Sequence, residues 1–186
     1  MSLKFVYQSD RSELQWDPLA AGEVIKEGEF VTRNSDGELE QFDPANDDLP
    51  NGIIVHNPRG DAIVEHDEDY VQYEDLWTYR GDEGDNAYYL PLTAGDQIMP
   101  QTLADDSMTE PSVGDGTVVG IVTAGSSGET RVVESGYSDG GTTYSESGAG
   151  NFVALGRVYQ EPQHKILEDN YDQRIPVQLD TDIFQP

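Results

Sequence analysis

The chain has no cysteine, which excludes disulfides, thiolate metal sites and thiol nucleophiles. It is also poor in cations: 10 Lys and Arg stand against 37 Asp and Glu, a formal net charge of -27 over 186 residues. Phosphate recognition needs a basic face, and ten scattered cations do not make one, so nucleic acid is not an expected partner. No apolar run approaches the ~18 residues of a membrane span, and no membrane partner is expected. The N-terminus, Met1-Ser2-Leu3-Lys4-Phe5-Val6-Tyr7, lacks the apolar core of a signal peptide. Synthesis in the cytoplasm is expected.

What the chain has is negative charge. At ordinary salt the Debye length is about 10 Å, and a domain so charged repels itself; at molar salt the length falls to roughly 3 Å. The composition therefore suits a highly saline medium. A hydrophobic fraction of 35% is low for a globular protein, and high charge with low hydrophobicity is also the signature of disorder. Clusters such as Gly52-Ile53-Ile54-Val55 and Val118-Val119-Gly120-Ile121-Val122 argue against disorder, because short β-branched runs between turn signals mark buried strands.

The pattern is β throughout, with Gly and Pro too frequent for long helices. An all-β fold is expected, a small barrel or sandwich in three parts. Residues 1–18 form an N-terminal arm. Residues 19–162 form the β domain, with a Gly/Ser-rich hairpin or loop excursion over 124–150 that holds short strands at Arg131-Val132-Val133 and Thr142-Thr143-Tyr144. Residues 163–186 form a C-terminal segment, whose Ile175-Pro176-Val177-Gln178-Leu179 reads as an edge strand because Pro cannot donate to a ladder. Two short strands are expected about Gly28, a hairpin turn at Asp36-Gly37, and a polar connection over 38–51. Residues 61–80 suit either period, with strand preferred. A weak internal repeat aligns Leu19-Ala20-Ala21-Gly22-Glu23-Val24-Ile25 with Leu92-Thr93-Ala94-Gly95-Asp96-Gln97-Ile98. Similarity among β-turns explains it equally well.

The run Ala21-Gly22-Glu23-Val24-Ile25-Lys26-Glu27-Gly28-Glu29-Phe30-Val31, then Asp36-Gly37-Glu38-Leu39, then Gly52-Ile53-Ile54-Val55, has a distinctive cadence. It resembles the β-tulip-like head decoration proteins of tailed viruses. Asp115-Gly116-Thr117-Val118-Val119-Gly120-Ile121-Val122 and Ala154-Leu155-Gly156-Arg157-Val158 follow the same style. The resemblance covers about residues 19–55 and 92–160. It implies a β barrel or sandwich that binds the major capsid protein on the capsid exterior as a homo-oligomer, a trimer favoured, often through an N-terminal arm. With the salt adaptation it implies a tailed virus of halophilic archaea.

The arm supplies the candidate binding residues Leu3, Lys4, Phe5, Val6 and Tyr7. A strand offered to another chain's sheet edge gains main-chain hydrogen bonds while alternate side chains fill pockets. An ordinary first strand in the chain's own sheet fits equally. No catalytic residue is assigned: His56, His66 and His164 form no recognisable triad, and no Gly-x-Ser-x-Gly elbow occurs. No cofactor is expected. Asn34–Glu40 and Asp82–Asn86 are acidic turns that offer Ca²⁺ oxygen ligands, although acidic turns are background in such a composition. Arg-Gly-Asp occurs at Arg59-Gly60-Asp61 and Arg80-Gly81-Asp82, most simply as turns. The alternative function is a surface- or carbohydrate-binding module, with Tyr70, Tyr73, Trp77, Tyr79, Tyr88 and Tyr89 as stacking faces; packing between sheets is the commoner use of such rings.

Overall fold

A computed structural model describes residues 14–26, 28–55, 78–98, 100, 116–123, 130–147, 150–159, 177–180 and 182–183. Among these the fold is all-β, and the non-strand regular structure is one 3-10 turn, Gly81–Glu83. Two five-stranded antiparallel sheets form the body. The first contains β1 (Gln15–Pro18), β3 (Phe30–Arg33), β4 (Leu39–Gln41), β5 (Gly52–Ile54) and β7 (Asn86–Pro91), in the order β1-β7-β5-β3-β4. The second contains β8 (Gln97–Ile98), β9 (Val118–Thr123), β10 (Thr130–Glu134), β13 (Val153–Val158) and β14 (Val177–Leu179), in the order β10-β9-β13-β14-β8. Two ribbons complete it: β2 (Val24–Lys26) with β6 (Thr78–Arg80), and β11 (Tyr137–Asp139) with β12 (Thr142–Tyr144).

The first sheet curls back on itself. Leu19, just past β1, forms a parallel bridge with Leu39 of β4, and the Ala20 amide donates to the Leu39 carbonyl at 2.9 Å. This joins the two outer strands into a ring. Successive residues of a strand point to opposite faces, and here the two faces serve two cores. Val31, Ile54, Ala87 and Tyr89 turn inward with Leu19, Leu39, Ile25 and Tyr79. Their chain neighbours Phe30, Ile53 and Leu90 turn outward and pack against Val119, Ile121, Val132, Leu155, Val177 and Leu179 of the second sheet. The ribbon β2–β6 brings Ile25 opposite Tyr79, and the Tyr79 hydroxyl donates to the Val55 carbonyl at 3.0 Å. A third small cluster, Val122, Val133 and Tyr137, lies under the ribbon β11–β12, with Tyr144 and Phe152 against it.

Several sequence expectations change. Residues 38–51 are not purely connection, because Leu39 is buried in the inner core and carries β4. The short strands expected at Arg131-Val132-Val133 and Thr142-Thr143-Tyr144 are present, within β10 and as β12. β10 belongs to the second sheet, with Val132 and Val133 buried on opposite faces, and residues 137–144 form a separate ribbon. Residues 177–179 are not an edge strand: β14 pairs with both β13 and β8. Pro176 precedes that strand in sequence and leaves its ladder intact. Residues 15–18, assigned to the arm, form β1 against β7. Most of 61–80 lies outside the described residues, and its end, Thr78–Arg80, is strand.

Candidate functional site

The arm residues Leu3, Lys4, Phe5, Val6 and Tyr7 lie outside the described residues, as do His56, His66, His164 and Arg59-Gly60-Asp61. Leu14 packs against the core between the sheets. β1 follows at once, in register Gln15 to Tyr89 and Trp16 to Tyr88. Trp16 is 57% exposed. It is the large aromatic that the described structure leaves on the surface, next to the half-buried Tyr88. Sequence reasoning passed over it, although its place at the end of the arm is a usable signal.

On the opposite face of this strand pair sits a polar cluster centred on the Tyr89 hydroxyl. Gln15 and Asp17 share a face of β1 by the two-residue period. The Tyr89 hydroxyl lies 2.7 Å from Gln15 Oε1 and 2.7 Å from Asp17 Oδ2. Arg33, from β3, donates to the Tyr89 oxygen at 2.6 Å and pairs with the Asp17 carboxylate. Burial, with the Asp17 carboxylate beside it, pushes the Tyr89 phenol up to about 12. Asp17, by bonding and charge, also raises the Arg33 guanidinium above its ordinary value. The ring itself is 3% exposed, so it is structural filling rather than a stacking face.

A second polar cluster joins the sheets. Glu29 and Arg131 are both buried, and Arg131 Nη1 lies 3.4 Å from Glu29 Oε1. Glu29 Oε2 accepts the Lys26 amide at 2.7 Å, and Gln41 Nε2 donates to Oε1 at 3.3 Å. Arg131 Nη1 also donates to the Thr130 carbonyl at 2.7 Å. Thr130 Oγ1 in turn accepts the Phe30 amide at 3.4 Å. A buried ion pair persists only when such bonds satisfy its remaining atoms.

The acidic turns are occupied by their own backbone. Asn34 Oδ1 accepts the amides of Asp36 and Glu38, each at 3.0 Å, an Asx closure around Gly37 at φ 86°. Asp82 Oδ1 accepts the Gly22 amide at 2.8 Å, and Asp85 Oδ2 accepts the Arg80 amide at 2.7 Å. Arg80-Gly81-Asp82 is therefore a folding element: its Gly81 amide also donates to the Glu23 carbonyl at 2.9 Å. Among the described residues no three His, Asp or Glu side chains gather as metal ligands. No family model matches the chain, and no curated protein is similar to it.

Proposed function

We propose that this chain is a non-enzymatic structural protein that binds the outer surface of a viral capsid in a saline medium and stabilises or decorates it. The reading rests on where the resemblance falls. Among the described residues, the quoted Gly-acid segments fall at turns and short strands of an all-β fold with two packed sheets, and an all-β fold is what the resemblance implies. The polar clusters support a static role. The groups around Tyr89 and Glu29 bond to one another and tie strands together. The partner would be the major capsid protein, and a homotrimer the assembly, since a closed heterologous ring of three leaves no open contact.

The deciding experiment separates a high-salt lysate of producing cells by size. Co-migration with capsid-sized particles is expected. Deleting residues 2–8 should then release the protein from particles without changing its fold by circular dichroism. A small soluble species that never joins particles overturns the reading.

The exposed Trp16 beside Tyr88 favours a second reading, a surface- or carbohydrate-binding module. An exposed indole on a paired strand offers a ring face for stacking. Tyr79 and Tyr89 are withdrawn from that role by burial. A flat glycan-array response, unchanged in Trp16→Ala, would dismiss this alternative.

A further inference from the structure

We infer that the chain is a tandem pair of one β unit, the first running from β1 to β6 and the second from β7 to β14. The sequence correspondence is longer than the aligned heptads, because Pro18 and Pro91 extend it by one residue. Pro-Leu-x-Ala-Gly-acid-x-Ile then occurs at Pro18–Ile25 and at Pro91–Ile98. Turns of this kind recur by chance, so the weight falls on what surrounds them.

Both octapeptides follow a strand that ends at the proline, β1 and β7. Those two strands pair with each other reciprocally. Gln15 faces Tyr89 and Trp16 faces Tyr88, and in the aligned frame Gln15 corresponds to Tyr88 and Trp16 to Tyr89. Any antiparallel pair is reciprocal in this sense, so the pairing is compatible with equivalence and the weight falls on the turns and ladders that follow. The turns match. The Glu23 amide donates to the Ala20 carbonyl at 3.1 Å and the Asp96 amide to the Thr93 carbonyl at 3.1 Å. Gly22 and Gly95, third in their turns, stand at φ 89° and 84°, the left-handed region that glycine alone enters freely.

The next strands, β2 and β8, each bury the repeat's isoleucine, Ile25 in the inner core and Ile98 between the sheets. Each receives an antiparallel strand from far along the chain. Val24 and Ile25 face Arg80 and Tyr79; Gln97 and Ile98 face Gln178 and Val177. The ladders end alike. The Gly81 amide donates to the Glu23 carbonyl at 2.9 Å, and the Leu179 amide to the Asp96 carbonyl at 2.9 Å. Tyr79, Arg80 and Gly81 thus correspond in order to Val177, Gln178 and Leu179. Between the turn with its short strand (β2 or β8) and the returning strand, each unit has a hairpin, β3–β4 or β9–β10, and a later strand, β5 or β13, antiparallel to the hairpin's first member.

The units also differ. Ile25 and Ile98 lie in different cores, and Glu23 accepts the Gln41 amide while Asp96 accepts that of Thr93 in its own turn. β14 lies directly beside β13, whereas β5 neighbours β7 of the other unit. Among the described residues, the ribbon β11–β12 has no counterpart between β4 and β5, where an equivalent would fall, and marks an insertion. This inference is independent of the capsid reading, since it concerns how the fold is built.

If the octapeptides hold equivalent places, each should accept the other's residues. The reciprocal exchange is Ala20→Thr and Val24→Gln with Thr93→Ala and Gln97→Val in the full chain, keeping Glu23 and Asp96, whose carboxylates bond differently. One cooperative unfolding transition is expected, with slow hydrogen exchange kept at the Gly81 and Leu179 amides. Loss of protection at either amide in a folded chain overturns the inference. Should the exchanged chain not fold, two single variants decide. Gly22→Ala should speed exchange at Gly81, and Gly95→Ala at Leu179, each by about tenfold, the cost of a non-glycine residue in the left-handed region. An effect at one turn without the other overturns the inference.

Discussion

Tyr89 shows how one hydroxyl ties three strands, because it meets Gln15 and Asp17 of β1 and Arg33 of β3 while its ring fills the inner core. Its phenol, pushed up to about 12, keeps its proton in the fold after the unfolded chain has begun to lose one near pH 10. Between those values the unfolded state binds fewer protons, so stability falls as pH rises. Below pH 10 the effect vanishes. Chemical denaturation at pH 9, 10 and 11 should show this decline, and Tyr89→Phe should flatten it while costing about 1 kcal/mol at neutral pH. Glu29 and Arg131 call for a different expectation, being buried and mutually dependent. Removing either alone, by Glu29→Ala or Arg131→Ala, should cost about 3–5 kcal/mol, because the other charge is stranded. Replacing both by apolar residues of similar volume should cost much less, which a double-mutant cycle in urea would measure.

At the scale of elements, the close approaches of strands are set by glycines. A side chain at Gly156 would overlap the Gln178 carbonyl of β14, and one at Gly52 would meet the Tyr89 ring and lie 2.9 Å from the Leu90 carbonyl of β7. Gly52→Ala should therefore cost about 1–3 kcal/mol by overpacking, whereas a surface control should melt as the parent does. The strand clusters at Gly52–Val55 and Val118–Val122 were legible because every residue in them is apolar or glycine. So was the turn at Asp36-Gly37, which needs a left-handed residue. β4 was not, because Leu39 is a lone apolar residue among acids and its burial depends on Leu19, twenty places earlier. β14 was misplaced because Pro176 signals an edge only if it lies within the ladder. The pairing of Glu29 with Arg131 was out of reach, since nothing local links residues a hundred positions apart. The same holds for the cluster at Tyr89, whose members are ordinary until the sheet curls. Trp16 was legible, being one of two tryptophans and within the segment assigned to the arm.

For the molecule as a whole, charge and architecture make separate contributions. Self-repulsion at a net charge of -27 weakens as salt shortens its range, so the melting midpoint should rise steadily from 0.1 M to molar KCl. A flat response in calorimetry would show that the acids are already compensated within the fold. Screening has a second effect, on solubility, because the repulsion that opposes folding also keeps neighbouring molecules apart. Here the ring made by Leu19 and Leu39 matters in another way. An open sheet presents unpaired amides and carbonyls that template the addition of a foreign strand. The first sheet joins its outer strands instead, and β8, a border of the second, is only two residues long. The other border, β10, is fastened to β3 through Thr130 and Arg131. Ring closure and a short border are geometric and indifferent to ionic strength, so they guard against strand-by-strand aggregation in the brine where electrostatic repulsion no longer does.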